Sequence, residues 1–122
     1  MMEFYFDHEK LKVYQLAIEF VTWSETLLEE CQGKAASAKR HLEETSSSIP
    51  NNIAEGNGKW SNKDRKKFFE VARGSALECA SCLDILVAKR RISGDRVIQG
   101  KEQLQSIVNL LTPMIKNLSE DS

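Results

Sequence analysis

The sequence predicts an all-α protein, an antiparallel up-down-up-down four-helix bundle spanning residues 1–122 as one domain. Three observations predict it. Apolar residues recur every three to four positions through four stretches, and none alternate with period two over a useful length. Two prolines and six glycines in 122 residues leave room for long helices. The connections are short, which sets successive helices side by side.

The first helix is expected over about 7–32. Asp7 can cap it, Val13, Leu16, Ala17, Phe20, Leu27, Leu28 and Cys31 make its apolar stripe, and Gln32-Gly33 ends it. The second is expected over about 34–56, on Ala35, Ala38, Leu42, Thr45, Ile49 and Ile53. That seam is small and partly polar, so a neighbour can come close. Pro50 sits inside it and crowds the carbonyl of Ser46, predicting a kink, and hydroxyls at Ser46, Ser47 and Ser48 can satisfy what is freed. Gly56-Asn57-Gly58 is expected to stop it.

Ser61, followed by Asp64, reads as a capping-box variant opening a third helix over about 61–91. Phe69, Ala72, Ala76, Cys79, Leu83 and Leu86 line its core face, widened by Phe68, Val71 and Ile85. Ser93 can cap a fourth helix over about 93–118, with Val97, Leu104, Ile107, Leu111, Met114 and Leu118 facing in. Pro113 is expected to kink it or weaken its last turn, and the tail SEDS to fray. With the middle turn centred near Gly58, facing residues on helices two and three have numbers summing to roughly 117. That register puts Glu44 beside Arg73 and Arg40 beside Glu78, with Gly74 allowing close approach.

Composition narrows the function classes. Apolar residues at 41% and charged ones at 29% are those of a soluble globular protein. No apolar run approaches the ~20 residues of a membrane span. The start, MMEFYFDHEK, lacks the basic opening and apolar core of a signal peptide, so a cytoplasmic location is expected. Three cysteines argue against a secreted disulfide framework. A net charge of −1 hides a polarity. Residues 1–33 set two lysines against seven carboxylates, while residues 59–101 set eleven cations against five. Such a split suits head-to-tail contact in a homo-oligomer, with Tyr14, Val21, Trp23 and Leu77 as apolar anchors.

No catalytic constellation is visible. Cys79-x-x-Cys82 lies turns inside a helix, away from the N-terminus that lowers a redox thiol, and Cys79 falls on the core stripe. Only Cys31, His8 and His41 remain as scattered partners for a metal. Glu29-Glu30 and Glu43-Glu44 are adjacent pairs that point apart on a helix. Gly56-Asn57-Gly58-Lys59 lacks the P-loop spacing. An enzyme would need a pocket between subunits; no enzyme, cofactor, metal or small-molecule substrate is expected. The remaining cluster is basic: Lys59, Trp60, Lys63, Arg65, Lys66 and Lys67, at the positive end of a helix. It reads either as a phosphate-facing surface with Trp60 stacking on a base, or as a solvated turn with Trp60 closing the hairpin.

Two segments carry a family resemblance: SIPNNIAEGNG and ARGSALE, with Lys10-Leu11-Lys12-Val13-Tyr14 near the start. Their motif positions are Ser48, Ile49, Pro50, Asn52, Ile53, Ala54, Glu55 and Gly56, then Arg73, Gly74, Ser75 and Glu78. The chain resembles the four-helix bundle proteins encoded by intervening sequences within bacterial 23S ribosomal RNA genes. That family includes the accessory proteins of diversity-generating retroelements. The resemblance implies a ring-shaped homopentamer that serves as a binding or scaffold module. Its clients would be structured RNA or DNA, or a nucleic-acid enzyme such as a reverse transcriptase. Glu43-Glu44 stand where members commonly carry a basic pair, so that face offers less charge to a nucleic acid.

Overall fold

The computed structural model describes residues 3–31 and 36–118. Four α-helices account for most of them: α1 is Lys12–Glu30, α2 is Ala36–Gly58, α3 is Asn62–Ala88 and α4 is Ile98–Lys116. Short 3-10 turns occupy Asp7–Lys10 and Asp95–Val97, and there is no strand among the described residues. Gln32-Gly33, Ala35 and the SEDS tail lie outside them.

The expected stripes form one continuous core. Phe20 and Leu27 of α1 meet Leu42, Ile49 and Ile53 of α2, Phe69, Leu83 and Leu86 of α3, and Ile107 and Leu111 of α4. Each such side chain contributes about 1.5–3 kcal/mol by leaving water. Each helix packs on two others: α1 on α2 and α4, and α3 on the same two. Among the described residues no helix is long and apolar enough to cross a membrane.

Several expectations are corrected. Asp7 does not cap the first helix; it opens a 3-10 turn, the backbone becomes extended at Leu11, and α1 starts at Lys12. The Asp7 carboxylate instead accepts a hydrogen bond from Asn57 Nδ2 at 3.0 Å. The Gly56-Asn57-Gly58 stretch does end α2, but at its last residue: the helix continues to Gly58, two residues past the expected 56. A Cβ at Gly56 would come within 2.8 Å of Phe69 Cε1, so the bare backbone is a seat for that ring. The third helix ends at Ala88 rather than Arg91, and Arg90 takes the left-handed conformation, φ 60°, that terminates helices. Ser93 caps no α-helix; its carbonyl accepts from Arg96 N in the turn before α4. Pro113 stays inside α4, and its carbonyl accepts from Asn117 N at 2.9 Å.

The middle hairpin has a different register from the expected one. His41 Nε2 and Glu78 Oε2 are 2.9 Å apart, and Ser48 Oγ and Ser75 Oγ are 2.8 Å apart. Those facing numbers sum higher than expected because α2 runs two residues further, moving the turn's centre to residue 60. Arg73 therefore leaves Glu44 and donates through Nε to Thr112 Oγ1 on α4, at 2.9 Å. Glu78 takes His41 rather than Arg40. Gly74 is not an approach point, since a Cβ there would meet nothing within 4 Å. Val71 and Ile85 do not widen the α3 core face; they point outward and are exposed. Trp23 is no surface anchor either: it is buried on Phe20, over the bare backbone of Gly100, with the Arg96 guanidinium 5.7 Å from its ring.

Candidate nucleic-acid interface

The basic cluster is brought together by a three-residue connection, Lys59-Trp60-Ser61, between α2 and α3. Lys59 N still bonds to Gly56 O at 3.2 Å, which folds the chain back at once. Ser61 is extended and its Oγ accepts from Asp64 N at 3.1 Å, the expected N-cap. With the turn pinned from both sides, Trp60 is left 98% exposed. It therefore does not close the hairpin.

Phe68 organises the cations around it. Lys59 Nζ lies 5.0 Å from the ring centroid and Lys67 Nζ 5.9 Å, each within reach of the ring's negative face. Lys63 and Lys67 are exposed, while Arg65 and Lys66 are half-buried. Lys63, Lys66 and Lys67 line one shallow surface groove with Asp64 and Glu70. From Lys59 to Lys67 there are five cations and one carboxylate, at the positive end of the α3 dipole. Such a surface can hold phosphate oxygens, with an aromatic face beside it.

The motif residues do a different job. Asn52 Nδ2 donates to Ser48 O at 2.8 Å and to Ser48 Oγ at 3.0 Å, and Ser48 Oγ meets Ser75 Oγ. Ile49, Pro50 and Ile53 are buried beneath them, Ala54 is half-buried, and Glu55 is exposed. Of the three serines, Ser46 bonds to Glu43 O and Ser48 makes the crossing contact. Ser48, Asn52 and Ser75 tie α2 to α3, and Arg73 reaches on to Thr112 of α4.

The cysteines behave as core material. Burial pushes the Cys79 thiol up to about 12, with the neighbouring Cys82 and Glu78 adding to the effect, and burial raises Cys82 and Cys31 too. A thiol held neutral is a weaker nucleophile near pH 7 than one at an electropositive helix N-terminus. Among the described residues no group of three His, Cys, Asp or Glu side chains could hold a metal ion. His8 stacks on Phe6 and meets Tyr14 edge to face, and His41 pairs with Glu78.

Sequence reasoning named Tyr14 on one surface but missed its other members. Tyr5, Tyr14 and Ile18 form an apolar strip along the start of the chain, rimmed by Glu3, Glu9 and Glu19. The aromatic run Phe4-Tyr5-Phe6 was the available signal. It also missed Thr112 as the partner of Arg73, for which the sequence carries no local cue.

Comparison with known proteins agrees with the fold. A crystal structure of a protein of unknown function, from the S23 ribosomal protein family of Bacteroides thetaiotaomicron, superposes with a TM-score of 0.78. It is 20% identical, and the match covers 86% of this chain and 99% of that one, a likeness that speaks to the fold alone. No curated protein matches the chain. The family described as 23S rRNA-intervening sequence protein matches residues 9–113, including both motif segments, and the chain belongs to that family.

Proposed function

We propose that this protein is a non-enzymatic, cytoplasmic, self-assembling bundle that holds RNA at its basic hairpin end. One observation carries the reading: Trp60 is 98% exposed at the tip of a pinned turn, among five cations. Exposing an indole to water is unfavourable, and an unpaired base is a natural cover for it. Stacking of this kind contributes about 1–3 kcal/mol per base, and the cations add a salt-dependent phosphate term. Unpaired bases in loops offer themselves for stacking, whereas paired bases do not, so the reading favours structured RNA with open loops.

The helix contacts support an up-down-up-down course. On α2 and α3 the pairs are 41 with 78 and 48 with 75; on α3 and α4 they are 84 with 101 and 73 with 112. Family resemblance supports a ring of five copies, which would display five basic turns to one RNA. A second reading, a structural oligomer that binds no nucleic acid, is favoured by the acidic pI of about 6.1.

Fluorescence separates the two. The chain has two tryptophans, and Trp23 is buried. Adding single-stranded or looped RNA should quench and shift the emission of Trp60, and a Trp60→Phe variant should lose that response. Unchanged emission with RNA at low salt overturns the RNA reading and leaves the structural one.

A further inference from the structure

Resting on the self-assembly reading, we propose that copies join head to tail, the acidic strip on α1 of one copy receiving the outward face of α3 of the next. The strip has an apolar floor, Tyr5, Tyr14 and Ile18, under a rim of Glu3, Glu9 and Glu19, with Lys12 as the cation among its lining residues. Tyr5 is 79% exposed and Ile18 42%. On α3, Val71, Leu77 and Ile85 point away from the core and are likewise exposed. Gly74 lies among them with nothing above it, so this chain's own packing makes no use of a residue that weakens a helix interior. A bare backbone there leaves room for an aromatic ring from outside.

Geometry matches the two faces. Since α1 and α3 each pack on α2 and α4, they occupy opposite corners of the bundle and their outer faces look away from each other. Contacts with α4 fix their relative height. Gly100 seats the Trp23 ring of α1, and the next residue, Lys101, bonds to Asp84 of α3 at 2.7 Å. Residues 23 and 84 thus lie at one level. Both helices climb the same way at about 1.5 Å per residue. Leu77, seven positions before Asp84, is therefore level with Leu16, between Tyr14 and Ile18.

Faces at one height add no rise from copy to copy, so a rotation at each contact closes the chain of copies into a ring, whereas contact without rotation builds a straight filament. Charge agrees. Lys67, ten positions further down α3, reaches the level of the turn that carries Glu9, so a cation meets the acidic rim. The occupant of the strip is a second copy of this chain. Lys67 is shared with this contact, while Lys59, Trp60 and Lys63, nearer the tip of the turn, stay open to a nucleic acid.

Two single variants and their mixture test the pairing by light scattering on a sizing column. Ile18→Lys spoils the α1 face and leaves α3 intact; Leu77→Lys does the reverse. Each alone should fall to the 13.8 kDa of one subunit, while Ile98→Lys, exposed on neither face, keeps the wild-type mass. Mixed, the two lesions leave one good face on each partner and should give a dimer that grows no further. That recovery also shows that both variants fold. A multimeric wild type whose mass survives both lesions, or a mixture that stays monomeric, overturns these faces and leaves self-assembly standing. A wild type that is itself one subunit overturns self-assembly and this pairing together.

Discussion

Ser48 Oγ and Ser75 Oγ meet at 2.8 Å, joining positions 27 apart in sequence across the α2–α3 seam. Asn52 Nδ2 donates to the same Ser48 hydroxyl, so one small polar cluster ties both motif segments together above the buried Ile49 and Ile53. Ser75→Ala should destabilise the protein by about 1 kcal/mol. A double-mutant cycle with Ser48→Ala, read from urea unfolding, should return a coupling of about 0.5–1.5 kcal/mol. Zero coupling would mean that the serines merely sit side by side.

Gly56 and Gly58 separate two uses of glycine at one helix end. A Cβ at Gly56 meets the Phe69 ring at 2.8 and 2.9 Å, whereas one at Gly58 meets nothing within 4 Å. Gly56→Ala should cost about 1–3 kcal/mol by overpacking. Gly58→Ala should be neutral or stabilise by up to about 1 kcal/mol. Equal melting temperatures for the two variants would contradict the packing account.

The Glu30–Arg96 pair, bonded at 2.6 and 2.7 Å, ties the end of α1 to the turn before α4. The Arg96 hydrogen bond holds the Glu30 carboxyl below its ordinary value. A lowered carboxylate stabilises the fold above its unfolded pKa, and that contribution disappears as pH falls through the folded one. Glu30→Gln should therefore melt lower than wild type at about pH 7 and match it at about pH 2–3. A difference in melting temperature that persists in acid would assign the effect to packing instead.

Burial holds the Cys79 thiol up to about 12 against an ordinary 9.0. Between those values the unfolded chain gives up a proton that the folded chain keeps, so stability falls as pH rises through that window. Wild type should lose stability more steeply than Cys79→Ala from about pH 8 to about pH 11. Parallel curves would show that the thiol ionises freely in the folded protein. In native protein, iodoacetamide should reach Cys31 before Cys79, because Cys31 is only half-buried.

The bundle was legible because its core residues repeat at helical spacing: Phe69, Ala72, Ala76, Cys79, Leu83 and Leu86 are all buried as the pattern predicts. Boundaries were harder, since Gly and Asn allow a helix end without requiring one. Gly56-Asn57-Gly58 reads as a stop and α2 does end at Gly58, but only the Phe69 ring above Gly56 shows the packing role of that residue. Trp23 fits an interface anchor by type, yet Gly100, 77 positions away, opens a seat for it in the core. Arg73 and Thr112 are 39 positions apart, and no local pattern predicts such a bond. At the candidate site the cations and Trp60 could be read directly, but not the exposure of the indole. That depends on how tightly the Ser61 cap and the Lys59 backbone bond draw the turn.

The salt dependence of RNA binding tests the central claim most directly. Wild type and a variant with Lys63, Arg65, Lys66 and Lys67 all changed to Gln would be titrated with fluorescent looped RNA across a salt series. Each neutralised phosphate contributes roughly −0.7 to the log–log slope on single strands, so wild type should show a slope of about −2 to −3 and the variant a much flatter one. Equal slopes for the two proteins, or no binding by wild type at low salt, would contradict the assignment of this turn to RNA.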